Sequence, residues 1–249
     1  MGDKKLVAAG QTHVGQTRDE NQDSLLVSTA GIAALPNLFI VADGLGGHNA
    51  GSIASNGAME AFCDFLNNTD ADISHEYMLA LAINYANSQV FKDAAANRAH
   101  KGMGTTFTSA VISGNLLYYA HVGDSRIYTI KNGQMTQITT DHASCTVEMV
   151  ADGIISECEA QNYPEKVLTR AVGTDAAVEA DKGVADLDDA THILLCTDGL
   201  TNMLFENQIL EIIESNANVE NATKQLIDAA NKAGGKDNIT AIVIGWDRL

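Results

Sequence analysis

Five aspartates stand where a chain places residues for chemistry. Asp43 and Asp198 each close an apolar run and are followed by Gly-Leu, in FIVADGLGG and LLCTDGLTN. An apolar strand that ends in Asp puts a carboxylate at the rim of a sheet. The glycine after it permits a sharp turn and brings its own carbonyl close to a ligand. Taken singly, either is also an ordinary Asp-Gly turn. Asp124 follows LLYYAHVG within VGDSR, Asp237 follows Gly234-Gly235-Lys236, and Asp23 closes RDENQD. Each of these alone reads equally well as a turn residue or a helix cap. Together they suggest a hard-cation site, because Mg2+ and Mn2+ take oxygen ligands. Two carboxylates ~5 Å apart at an effective dielectric of ~20 repel by about 3 kcal/mol, a cost that bound cations would remove. Arg18 shares a segment with Asp23. Its planar fork of donors suits phosphate oxygens, although an ordinary surface pair with Asp19 or Glu20 is the alternative. An arginine beside a multi-carboxylate metal centre is the constellation expected for phosphate-ester hydrolysis.

Hydrophobic periodicity gives the elements that must hold these residues. Strands are expected at Leu6–His13, Ser24–Ser28 and Asn37–Ala42, followed by two helices at about Gly51–Asn67 and Ser74–Ala96. From Thr105 the texture becomes a β-meander, with strands Phe107–Ile112, Leu116–Val122, Arg126–Ile130 and Met135–Ile138. Ser113-Gly114-Asn115 and Lys131-Asn132-Gly133 are its hairpin turns, since Asn and Gly tolerate positive φ. The stretch 141–173 reads as helix and loop. His192–Thr197 is a strand, Glu206–Ser215 and Glu220–Ala233 are helices, and Ile239–Trp246 is a closing strand. Strands and helices come in blocks, which predicts antiparallel sheet covered by helices in an α+β fold. No linker-like composition divides the chain, so one domain over 1–249 is expected.

Composition narrows the function classes. There are 32 acidic against 15 basic residues, a formal charge of −17, and such a surface repels nucleic acid and anionic membrane. No apolar stretch reaches the ~20 residues of a membrane span, and the opening MGDKKLVAAG has no apolar signal core. Cys63, Cys145, Cys158 and Cys196 show no zinc or disulfide spacing, which reads as a reducing, cytoplasmic compartment. Cys196 is expected to be a buried thiol. Histidines 13, 121 and 192 lie on strand patterns and read as packed or hydrogen-bonded residues, and His142 reads as structural. A small-metabolite phosphatase of the haloacid-dehalogenase type needs DxDxT, which neither Asp-Gly-Leu segment provides.

The chain resembles the type 2C metal-dependent serine/threonine protein phosphatases, most closely their compact bacterial branch. Eight collinear segments carry the likeness: TRDENQD (17–23), VADGLGGHNAG (41–51), MGTTF (103–107), HVGDSRIY (121–128), TTDHA (139–143), VLTRAVG (167–173), LLCTDGL (194–200) and GKDNITAIVI (235–244). The resemblance implies a four-layer αββα sandwich of two antiparallel sheets flanked by helices, with 141–173 including a flap. It implies that Asp43 bridges two metal ions and that Asp198 and Asp237 complete the first site. The Gly44 carbonyl belongs to the second, Asp23 orients metal-bound water, and Asp124 with Asp198 forms a third. Arg18 matches the phosphate-binding arginine. Two or three Mn2+ or Mg2+ ions per chain would then drive attack by a bridging water on phosphoserine or phosphothreonine. Phosphorylated proteins are the implied substrates and a serine/threonine kinase the natural counterpart, with the chain expected to act as a monomer. A silent phosphoprotein-binding module on the same fold is the alternative, marked by loss of metal acids. Three positions depart from the family pattern: Leu45 replaces a histidine proposed as general acid, Ala143 replaces a serine, and Tyr163-Pro164 replaces His-Pro in the flap. His48 lies three residues beyond Leu45, and a metal-bound water is an alternative proton donor.

Overall fold

Both faces of the central strands are covered, which is why their sequences run apolar without a polar alternate. In the computed structural model, residues 4–47, 49–69, 72–154 and 166–248 are described. The strands are β1 (Lys4–His13), β2 (Asp23–Ser28), β3 (Leu38–Leu45), β4 (Gly104–Thr105), β5 (Phe107–Ser113), β6 (Leu116–Val122) and β7 (Arg126–Lys131). They continue with β8 (Gln134–Gln137), β9 (Ala143–Cys145), β10 (Lys166–Leu168), β11 (Asp181–Asp186), β12 (Ala190–Cys196) and β13 (Ile239–Arg248). The helices are α1 (Ala50–Asn68), α2 (His75–Ala96), α3 (Thr146–Ala151), α4 (Asp198–Thr201), α5 (Glu206–Ser215) and α6 (Val219–Lys232).

One sheet has the order β1-β13-β12-β7-β8 and the other β11-β6-β5-β3-β2, with β4 added on β3; β9 and β10 make a separate two-stranded ribbon. Every pairing is antiparallel. The period-two rule then sorts side chains into layers. Phe39 and Val41 of β3 share the inter-sheet core with Ile193 and Leu195 of β12 and Ile242 and Ile244 of β13. Their alternates Leu38, Ile40 and Ala42 pack with α1 and α2. On the opposite side, Leu194, Cys196, Ala241 and Val243 pack with α5 and α6. This is the expected αββα sandwich. Phe62 of α1 stacks on Phe107 of β5 with ring centroids 4.9 Å apart, fixing the helix over its sheet. A fully buried side chain of this kind contributes ~1.5–3 kcal/mol.

Most elements expected from the sequence are present. The Asn132-Gly133 turn has φ of 52° and 70° and joins β7 to β8 with Lys131 opposite Gln134. The stretch 141–173 differs from its helix-and-loop reading, because β9 and β10 pair within it on either side of α3. Strand β11 has no counterpart in the sequence reading. Its DKGVAD is a polar edge strand whose residues alternate partly buried and exposed, and it lacks an apolar face to betray it. Pro164, Tyr163, Cys158 and His48 lie outside the described residues. Among the described residues, no helix is long and apolar enough to cross a membrane, and Cys63 and Cys196 are free thiols. Cys196 is fully buried, as expected, and burial pushes its thiol up to about 12.

Candidate active site

A cleft of about 680 Å³ opens at one end of the sandwich, lined by Arg18, Asp43, Gly44, Asp124, Asp198 and Asp237 among others. Both sheets contribute. Asp43 and Gly44 belong to β3 and Asp124 follows β6, whereas Asp198 follows β12 and Asp237 precedes β13. The two Asp-Gly-Leu segments end differently: Asp43 is still within its strand, and Asp198 opens the short α4.

The backbone of Asp43 is pinned on both sides. Its N–H donates to Thr106 Oγ1 at 2.9 Å, and its carbonyl accepts from the Thr106 N–H and the Thr105 hydroxyl, each at 2.9 Å. Gly44 has no room for a side chain, since a Cβ there would collide with the carbonyl oxygens of Gly51 and Gln22. Asp124 is held through its neighbour. The Gly123 N–H donates to His142 Nδ1 at 3.1 Å, and the His142 N–H donates to the Gly123 carbonyl at 2.7 Å. His142 is therefore the structural residue expected. His121 is too: buried against Thr108 and the Thr140 carbonyl, it is pushed down to about 4 and stays neutral. Asp198 Oδ2 accepts from Asn202 at 3.0 Å.

Asp23 takes a different position. It sits directly across from Asp43 in the β2–β3 register, is 7% exposed, and stands behind the cleft wall rather than on it. The Thr197 and Thr240 hydroxyls donate to its Oδ2 at 2.9 and 2.6 Å, both from the opposite sheet. Its Oδ1 is buried with no hydrogen-bond partner among the described residues. Burial and the carboxylates of Asp198 and Asp237 push its carboxyl up to about 7 despite the two threonine bonds. Burial, then the charges of Asp23, Asp198, Asp237 and Asp124, likewise raise Asp43 well above the usual carboxylate range.

Arg18 does not pair with Asp19 or Glu20. Its Nη2 donates to Asp237 Oδ2 at 2.8 Å. Among the described residues, no three acid, histidine or cysteine side chains are already arranged so as to hold a metal ion. The donor set nevertheless fits hard cations. It is all oxygen, it accumulates negative charge in one cleft, and it contains an orphaned buried carboxylate oxygen beneath that cleft. Thr197, Thr240, Thr106 and Asn238 were not anticipated as site residues. Hydroxyls and amides that position a carboxylate carry no spacing signal, and only the fold brings these to it.

The chain as a whole is similar to known proteins. Residues 9–242 match the protein phosphatase 2C family. The chain belongs to the protein phosphatase 2C family. This phosphatase is 37% identical over 214 residues to the serine/threonine phosphatase Stp of Listeria monocytogenes, covering 84% of each chain. It is 35% identical over 243 residues to the protein phosphatase PhpP of Streptococcus pneumoniae, covering 95% of this chain and 96% of that one. Among solved structures it is similar to the serine/threonine phosphatase Stp1 of Staphylococcus aureus, with a TM-score of 0.83, 32% identity, and coverage of 98% and 96%. It is also similar to the catalytic domain of the serine/threonine protein phosphatase PstP, solved in complex with two manganese ions, with a TM-score of 0.79, 30% identity, and coverage of 98% and 99%. The chain is a serine/threonine phosphatase by this membership.

Proposed function

We propose that the chain hydrolyses phosphoserine and phosphothreonine on proteins with the help of two or three Mn2+ or Mg2+ ions. The observation that carries this reading is the meeting of Asp43, Asp124, Asp198 and Asp237 with Arg18 in one cleft. Asp43, Asp198 and Asp237 would hold the first ion, Asp43 and the Gly44 carbonyl the second, and Asp124 with Asp198 a third. Bound there, such ions would activate a water for attack and neutralise charge on the phosphoryl group.

The remaining work falls to side chains of this chain. The Arg18 guanidinium offers a fork of donors to phosphate oxygens and orients the ester for in-line attack. Asp23, fixed by Thr197 and Thr240, keeps one carboxylate oxygen clear of protein donors beside Asp43 and is the group placed to orient water there. Leu45 lines the cleft and has no proton to give, so the leaving alkoxide takes its proton from water rather than from that position. The loss of acids that would mark a silent binding module has not occurred. The cytoplasm is the compartment that suits the free thiols, with phosphorylated proteins as substrates and a serine/threonine kinase acting on the same sites. The acidic surface argues against nucleic acid and anionic membrane as partners, and we take the acting unit to be one chain, a single catalytic domain over 1–249 with its flap within 141–173.

The deciding experiment is hydrolysis of a phosphothreonine peptide and of p-nitrophenyl phosphate with Mn2+, with Mg2+ and with EDTA. Turnover of both with metal and neither with EDTA is expected. A folded protein inactive under every metal would overturn the reading and favour the silent module.

A further inference from the structure

Asn238 joins the two halves of this site. It is 4% exposed, and among the described residues its side chain bonds only to a distant loop. Its Nδ2 donates to the carbonyls of Val14 at 2.9 Å and Glu20 at 2.8 Å, and its Oδ1 accepts the Gln22 N–H at 2.8 Å. A turn asparagine bonds the backbone a few residues away. Here the partners lie 216 to 224 positions away, so turn chemistry does not explain them. The loop that Asn238 grips is the one that carries Arg18. Its own backbone N–H meanwhile donates to Asp237 Oδ1 at 2.8 Å, leaving Oδ2 to accept from Arg18 at the same distance. Its carbonyl packs against Gly199, where a Cβ would collide with it, beside Asp198.

We propose that Asn238 is a positioning residue for phosphate binding: by fastening residues 14–22 it sets the Arg18 guanidinium against the acids of the cleft. This rests on the phosphatase reading above. The amide fills three of its four hydrogen-bonding capacities on that loop, and only an amide supplies two donors and an acceptor in that plane. Aspartate keeps the size and the acceptor but turns an oxygen toward the Val14 and Glu20 carbonyls. Alanine removes all three bonds. Either change lets the loop move and takes Arg18 with it, while Asp43 and Asp198 keep their own supports.

The test is a double-mutant cycle in the Mn2+-loaded enzyme, with Asn238→Asp and Asn238→Ala placed in wild-type and Arg18→Ala backgrounds. KM for the phosphothreonine peptide, kcat and calorimetric binding of inorganic phosphate are read. In the wild-type background, KM and the phosphate dissociation constant should rise about tenfold, with kcat within about threefold. In the Arg18→Ala background, neither should change by more than about twofold. Equal losses in both backgrounds, or unchanged KM in a folded variant, would overturn the proposal. If the variants do not fold, or the wild-type chain is inactive, amide hydrogen exchange in the unsubstituted protein decides. Strong protection of the Gln22 N–H supports the clamp, and free exchange removes it.

Discussion

At the scale of single residues, the acids were legible and their supports were not. Asp43, Asp124 and Asp198 each close a strand pattern and Asp237 stands just before one, so the sequence says both what they are and that they sit at a sheet rim. Asp23 was legible as an acid, but its depth behind the cleft was not, because burial there comes from threonines of the opposite sheet. That depth has a measurable sign. Folded Asp23 keeps its proton to about pH 7, whereas an unfolded aspartate releases it near 3.8. Between those values the folded chain binds the extra proton, so rising pH costs stability through this group. An amide does not titrate. In EDTA, Asp23→Asn should therefore gain on the wild type steadily from pH 4 to pH 7 in denaturant unfolding. A constant difference across that window would show that the carboxyl is ionised throughout. Arg18→Ala should raise KM for a phosphopeptide about 10–100-fold, the value of lost charge-assisted hydrogen bonds. An unchanged KM would remove Arg18 from the phosphate site.

Among elements, legibility followed burial. Strands β3, β12 and β13 are enclosed on both faces and announce themselves as apolar runs. The edge strand β11 buries little, and β9 and β10 are three residues each, too short to show a period. Glycines at strand ends are the other element-scale device. Gly44→Ala would drive a methyl into the backbone carbonyls of Gly51 and Gln22, which cannot yield as a side-chain tip would. A loss of about 2 kcal/mol or more is expected in urea unfolding, from overpacking against fixed backbone. Gly47, three residues on and in open space, is the control, and Gly47→Ala should stay within ~1 kcal/mol. Equal effects at the two positions would mean that the β3 end relaxes freely.

For the whole molecule, the cleft is a seam between sheets. Asp43 and Asp124 come from one and Asp198 and Asp237 from the other, so cations held between them tie the sandwich together at that end. A ligand at ~100 times its dissociation constant adds about 2.7 kcal/mol. That is on the order of 5–10 °C in Tm for a domain of this size. Saturating Mn2+ should produce such a shift in thermal melts, and Asp198→Asn should lose most of it together with turnover. A variant with the full shift and activity within about tenfold of wild type would remove Asp198 from the metal site. The topology bears equally on how the protein is made. The first strand pairs along its whole length with the last, from Lys4 opposite Arg248 to His13 opposite Ile239, and Arg18 meets a carboxylate 219 positions away. At roughly 5–20 residues per second, a ribosome needs about 10–45 s to cover that distance. Throughout that interval the nascent β1 has no partner strand, and the cleft stays incomplete until Asp237 and β13 have been made.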